Sequence, residues 1–99
     1  IHDREAHDDI LQTLLRFKGK IKGVMHCFSG NKEMAQQCIE LGFKISFNGT
    51  ITYPKNHELR EIAKWINLKN ILLETDCPFL APQEVRGKRN EPSFLPIIA

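Results

Sequence analysis

The segment Ile71-Leu72-Leu73-Glu74-Thr75-Asp76-Cys77-Pro78 decides the fold of this 99-residue chain. Three apolar residues run into two acids and then a proline, a pattern typical of a short strand that is buried on both faces in a parallel sheet. Folds of this class place their functional residues at the carboxyl ends of the strands. Asp76 is therefore a candidate functional residue, although an aspartate at a strand end also serves as a turn-former or helix cap.

Helical and strand-like segments alternate along the rest of the chain. Apolar residues recur at helical spacing in segments 4–18, 31–41 and 56–67, segments 21–28, 43–47 and 71–73 are strand-like, and a helix is predicted to start at Pro92. This alternation predicts βαβ units and an α/β fold with a parallel sheet. Periodicity does not decide between a doubly wound sheet and a barrel. A TIM-type barrel has about eight such units and about 250 residues, so this chain would form somewhat under half of one.

Composition narrows the class of protein. Fourteen basic and twelve acidic residues give a net charge of +2, which is too weak a bias to indicate nucleic-acid binding by itself. Three cysteines without CxxC spacing argue against a disulfide framework and favour the reducing cytoplasm. Since no run of about 18 apolar residues is present, we expect no membrane-spanning helix. The chain starts at Ile1 and stops in an apolar run, so we expect residues 1–99 to be truncated at both ends.

Polar residues recur where the predicted strands end. His2 precedes the first helix, His26 follows Gly23-Val24-Met25, Asn48 follows the strand-like segment 43–47, and Asp76 lies beyond the segment 71–73. A parallel sheet would gather these side chains on one rim. Imidazole and carboxylate together bind divalent metals such as Zn²⁺ or Mn²⁺. A single histidine beside a strand is more often a partly buried packing residue, so the coincidence of several polar residues carries the metal hypothesis.

Three further residues are candidates for a supporting role. Glu74 lies two residues before Asp76 and, in a strand, points to the same face, where it could orient a ligand or substrate or pair with a lysine. The loop from Arg86 to Pro92 carries several cations, and Arg86 and Lys88 are candidates for phosphate contacts. The alternative for this loop is ordinary solvated surface charge.

Four segments together resemble the TatD family of metal-dependent deoxyribonucleases. They are His2-Asp3-Arg4-Glu5-Ala6, His26-Cys27-Phe28-Ser29-Gly30, Glu74-Thr75-Asp76-Cys77-Pro78 and Arg86-Gly87-Lys88-Arg89-Asn90-Glu91-Pro92. Each motif alone is weak, but their order and spacing agree with the family along the whole chain. The resemblance implies a TIM-type barrel of the metallo-dependent hydrolase superfamily. It also implies a cytoplasmic enzyme that hydrolyses phosphodiester bonds in DNA with divalent metal.

The resemblance also implies roles for individual residues. His2, His26 and Asp76 correspond to metal ligands at the ends of the fifth, sixth and eighth strands, and Asp76 additionally to the residue that orients or deprotonates the attacking water. The implied cofactor is Mg²⁺, Mn²⁺ or Zn²⁺, with two ions in a complete site. The chain departs from the family by omission, because the His-x-His pair of the first strand and the bridging glutamate of the fourth have no counterpart. Residues 1–99 are thus expected to be a partial barrel domain that needs the missing amino-terminal half.

Three interpretations remain open at this point. The first is a TatD-like deoxyribonuclease acting on DNA. The second is a related barrel amidohydrolase that cleaves a small amide, ester or lactone, since fold and metal ligands do not fix the substrate. The third is an inactive portion that folds only with the rest of the barrel. Neither the oligomeric state nor the metal is fixed by the sequence.

Overall fold

Helices and strands alternate in a computed structural model of the protein, which describes residues 1–99. The α-helices are α1 (His7–Arg16), α2 (Lys32–Glu40), α3 (His57–Trp65) and α4 (Leu95–Ile98), and the strands are β1 (Gly23–Met25), β2 (Phe43–Phe47) and β3 (Ile71–Leu73). Short 3-10 helices cover Gly49–Thr52, Leu68–Asn70, Gln83–Val85 and Pro92–Phe94. None of the helices is long and apolar enough to cross a membrane.

The three strands form one parallel sheet in the order β1-β2-β3. Residues at the start of the chain line up beside the end of β1, where His2 and His26 form an isolated parallel bridge. The backbone N–H of His26 donates to the carbonyl oxygen of Ile1 at 2.9 Å. The predicted α/β class with a parallel sheet is therefore confirmed, and all four chain segments run in the same direction.

The hydrophobic core lies between the sheet and the helices that connect its strands. Twelve buried apolar residues form one cluster, in which the central strand β2 is the most deeply covered: Leu14, Met25, Phe28, Met34, Ala35, Cys38, Leu41, Phe43, Ile45, Phe47, Ile62 and Ile66. Helix α2 begins where it does because the Asn31 side chain accepts a hydrogen bond from the Met34 N–H at 2.9 Å. The core thus fixes the sheet, and the sheet fixes the positions of the strand ends.

The sequence predictions for α1 and β3 need correction. Helix α1 starts at His7 rather than at residue 4, because the Asp3 carboxylate accepts from the Ala6 N–H at 3.1 Å and pairs with His7, which holds this segment in a turn. The prediction that β3 is buried on both faces is wrong for this chain. Leu72 and Leu73 are 40% and 39% exposed, because β3 is an edge strand whose outer neighbour does not lie within these residues.

Candidate metal centre

The residues that follow the strands meet at one edge of the sheet. His26 comes directly after β1, Asn48 directly after β2 and Glu74 directly after β3, with Asp76 two residues further along. Because the strands are parallel, their carboxyl ends lie on the same side, as the sequence predicted. A turn follows at Cys27, whose φ of 49° is in the left-handed region and ends the extended backbone after His26.

Glu74 links the ends of β1 and β3. One of its carboxylate oxygens, Oε2, lies 2.7 Å from His26 Nδ1, and the other, Oε1, accepts from the Cys27 N–H at 2.6 Å. A carboxylate that accepts from a histidine ring nitrogen fixes the tautomer and orientation of the ring. The predicted orienting role of Glu74 therefore has a geometric basis, and the alternative pairing with a lysine is not formed.

The other ring nitrogen of His26 faces Asp76. His26 Nε2 lies 3.3 Å from Asp76 Oδ1, and both side chains are about one-third exposed, at 32% and 38%. When Nδ1 carries the proton donated to Glu74, Nε2 of the neutral ring is an acceptor, so two lone pairs face each other. A cation between them resolves this, since ligands about 2.1 Å from one metal ion lie about 3.0–3.4 Å apart. The pair therefore fits a divalent metal in donor chemistry and in spacing.

His2 lies beside this pair but does not join it. Its ring centroid is 6.0 Å from that of His26, with the planes inclined by 37°, and the side chain is exposed. In the structure, no three His, Cys, Asp or Glu side chains converge closely enough to form a complete metal-holding group. The chain brings His26, Glu74 and Asp76 together and leaves His2 nearby as a further donor.

The surroundings of Cys27 show that this edge of the sheet is acidic and partly buried. Burial raises the pKa of the Cys27 thiol. The Asn48 amide beside the sulfur lowers this pKa, whereas the Asp76 and Glu74 carboxylates raise it further. The Asn48 side chain is buried, and its amide nitrogen makes no hydrogen bond of good geometry. Two carboxylates at a half-buried edge favour a cation there.

The two candidate phosphate ligands lie in different surroundings. The Arg86 guanidinium is stacked over the Tyr53 ring, 4.3 Å from its centroid, and lines a cavity next to Cys27. Both residues are exposed, but the Lys88 side chain makes no hydrogen bond or ion pair and does not line that cavity. The structure thus distinguishes two cations that the sequence could not separate.

Two residues of this region were missed by the sequence analysis. Tyr53 supports Arg86, and its only sequence signal is its place in the loop after β2, to which the strand-end rule could have been extended. Asn90 is 2% exposed and holds the long loop together, because its amide nitrogen donates to the Phe79 carbonyl at 2.7 Å and its backbone N–H to the Pro78 carbonyl at 3.0 Å. Nothing in the residue pattern separates Asn90 from other loop asparagines.

Known proteins resemble the whole chain. The family described as TatD related DNase matches residues 1–99. The uncharacterized metal-dependent hydrolase YabD of Bacillus subtilis is 43% identical over 101 residues, which cover 100% of this chain and 39% of that protein. The 3'-5' ssDNA/RNA exonuclease TatD of Klebsiella pneumoniae is 39% identical over 104 residues, covering 99% of this chain and 40% of that protein.

A solved structure agrees with the fold. The crystal structure of YjjV, a TatD homologue from Escherichia coli K12, superposes with a TM-score of 0.90 at 35% identity, over 98% of this chain and 38% of that one. The chain therefore has the predicted fold of parallel β/α units and forms a portion of a TIM-type barrel. It spans about two-fifths of the length of the curated relatives, at 39% and 40% in the two described above.

Proposed function

Since the chain belongs to the TatD related DNase family of metal-dependent hydrolases, we propose that it supplies part of a metal site that hydrolyses phosphodiester bonds in DNA. The contact that carries this proposal is His26 Nε2 facing Asp76 Oδ1 at 3.3 Å while Glu74 holds the opposite ring nitrogen. A DNA substrate is supported by the family description and by one relative that is named as an ssDNA/RNA exonuclease.

In this proposal His26 and Asp76 hold the metal, and His2 adds a further imidazole. A bound Mg²⁺, Mn²⁺ or Zn²⁺ supplies Lewis acidity for the phosphoryl oxygens and lowers the pKa of water, and the complete site takes two such ions. Asp76 is the catalytic residue, because the only polar contact of its carboxylate is to His26, which leaves an oxygen free to orient and deprotonate the attacking water. Glu74 keeps His26 in the tautomer that leaves Nε2 available.

Substrate phosphates are assigned to two cations, Arg86 and Lys88, of the loop that follows Asp76. Arg86 has a guanidinium with donors in a fixed fork, which suits bidentate contact with phosphate, whereas Lys88 contributes as a point charge. The placement of Arg86 in a cavity next to Cys27 supports it as the stronger contact of the two.

The complete site is proposed to need a segment outside these residues. Leu72 and Leu73 on the edge strand are about two-fifths exposed, at 40% and 39%, and Ile1 beside β1 is 44% exposed. Apolar strand edges of this kind pair with further strands in a barrel. We therefore infer that the rest of the barrel covers both edges and supplies the remaining ligands. Because all three cysteines are free, the reducing cytoplasm is the proposed location.

The test compares two histidine variants in the full-length protein. His26→Ala is expected to reduce metal-dependent DNA cleavage by at least about 10–100-fold, since loss of a residue that only supports a ligand already costs that much. His57→Ala is the matched control, because His57 is exposed at the start of α3 and does not line the cavity next to Cys27. Cleavage of labelled DNA is measured with Mg²⁺, Mn²⁺ and Zn²⁺, and a panel of small esters and lactones is assayed in parallel. Ester cleavage without DNA cleavage, or equal activity of both variants, would contradict the proposal.

A further inference from the structure

A cavity of about 540 Å³ adjoins the proposed metal site. Its volume falls in the range of about 300–1,000 Å³ that is typical of small-ligand sites. Its lining includes the four residues 27–30, which follow His26 directly in sequence, and also Tyr53, Lys55 and Arg86. A substrate whose reacting group lies at His26 therefore has its next group at this cavity.

Arg86 lines the cavity and has no acidic partner. Its guanidinium carbon lies over the Tyr53 ring, 4.3 Å from the centroid, and the side chain makes no ion pair. Its only side-chain hydrogen bond is a long one of 3.4 Å to the Gln83 side-chain oxygen. Stacking on an aromatic ring fixes the plane of a guanidinium and leaves its N–H edge available for an anion.

The support under Arg86 is built into the fold. The Tyr53 hydroxyl donates to the Ala81 carbonyl at 3.0 Å, and the residue is 7% exposed. A second arginine, Arg60, stabilises the loop that contains Tyr53, because it donates to the carbonyls of Ile51 at 2.9 Å and Tyr53 at 2.7 Å. The donors of Arg60 are occupied by backbone carbonyls, whereas those of Arg86 are largely free. The stacked arginine is thus held ready before any ligand arrives, which lowers the cost of binding.

Lys55 provides a second cation in the same cavity. It is exposed and forms no ion pair, and the acid Glu58 also lines the cavity, so the three charged side chains sum to one positive charge. We propose that Arg86 and Lys55 bind the phosphate of the nucleotide that neighbours the scissile phosphate, with Tyr53 as the positioning residue for Arg86. This inference rests on the proposed hydrolysis of nucleic acid and assigns the residues that hold the substrate strand beyond the reacting bond.

The test measures binding without catalysis. The full-length protein is titrated into a labelled single-stranded oligodeoxynucleotide of about ten nucleotides in EDTA, and anisotropy gives the affinity at several salt concentrations. For single strands, each phosphate contact contributes about 0.7 to the slope of log affinity against log salt. Since Arg86 and Lys55 bind the same phosphate, Arg86→Gln with Lys55→Gln is expected to lower the magnitude of the slope by about 0.7, and Arg86→Gln alone is expected to lower it by a smaller amount.

Arg89→Gln is the matched control. Arg89 lies in the same loop and carries the same charge but is outside the cavity. The salt slope of the Arg89→Gln variant should therefore equal that of the wild type. Tyr53→Leu should weaken binding, and in the loaded enzyme it should raise KM with little change in kcat. Equal slopes for the Arg86 and Arg89 variants, or no salt-dependent binding by the wild type, overturn the subsite. Since the assay contains no metal, a reduced slope in an enzyme that cannot cleave DNA would overturn only the proposed function.

Discussion

Replacement of Glu74 by glutamine tests whether this acid prepares His26 for metal. The Glu74 carboxylate contacts two donors, His26 Nδ1 at 2.7 Å and the Cys27 N–H at 2.6 Å. A glutamine side chain has one acceptor oxygen, so its NH₂ group must face one of these donors. The loss of one charge-assisted hydrogen bond costs about 1.5–3 kcal/mol. Removal of a residue that orients a ligand weakens metal affinity about 10–100-fold, which corresponds to about 1.4–2.7 kcal/mol. The two magnitudes agree.

The assay is competition between the full-length protein and a chelating indicator for Mn²⁺ or Zn²⁺. Glu74→Gln should weaken the affinity by the factor given above, and ¹⁵N NMR of the metal-free protein should show that His26 loses its preference for the tautomer protonated at Nδ1. Glu61→Gln is the control, because Glu61 is an exposed acid on α3 whose partner is Lys64. The reasoning is refuted if Glu74→Gln retains wild-type affinity, or if Glu61→Gln weakens binding as much.

Further predictions concern stability, thiol chemistry and assembly. Gly49→Ala should lower the melting temperature of the full-length protein more than Gly19→Ala does, because a Cβ at Gly49 would lie 2.2 Å from the Leu80 carbonyl oxygen, whereas Gly19 has open space and only the left-handed strain of about 1–2 kcal/mol. At pH 8, Cys38 should resist alkylation until the protein unfolds, since burial raises its pKa to about 11, and peptide mass mapping follows the label. Residues 1–99 expressed alone should be neither a monodisperse monomer nor an active nuclease, and size-exclusion, amide exchange and a DNase assay check this; a strongly protected monomer that cleaves DNA would contradict it.

Some parts of the fold follow from local patterns. The strand β2 has the predicted bounds, Phe43–Phe47, because its apolar residues alternate with polar ones and Gly42 ends the preceding helix. The strand β1 is shorter than the predicted segment 21–28, since the left-handed backbone at Cys27 interrupts the extended chain. A periodicity argument sees side-chain spacing and cannot see a backbone turn of this kind.

Some residues of the candidate site could likewise be predicted from the sequence, and others could not. The strand-end rule predicted His26 and Asp76, and the two-residue spacing to Asp76 predicted Glu74. These side chains meet because parallel strands bring their carboxyl ends to one edge whatever the loops do. The contact between Arg86 and Tyr53 joins two loops that are far apart in sequence, and it depends on conformations that no local pattern encodes. The role of Lys88 remains a prediction for the same reason.

Glu74 also has a consequence for the shape of the sheet. It follows β3, yet it bonds to His26 and Cys27, which follow β1, and β2 lies between these two strands. Neighbouring strands are about 4.8 Å apart, so strands separated by a third are about 9.6 Å apart in a flat sheet. One short side chain that spans this gap draws the strand ends inward. This single acid therefore contributes to the curvature of the sheet at the carboxyl ends of its strands. A metal ligand from another part of the protein has to match the positions that this curvature gives to His26 and Asp76.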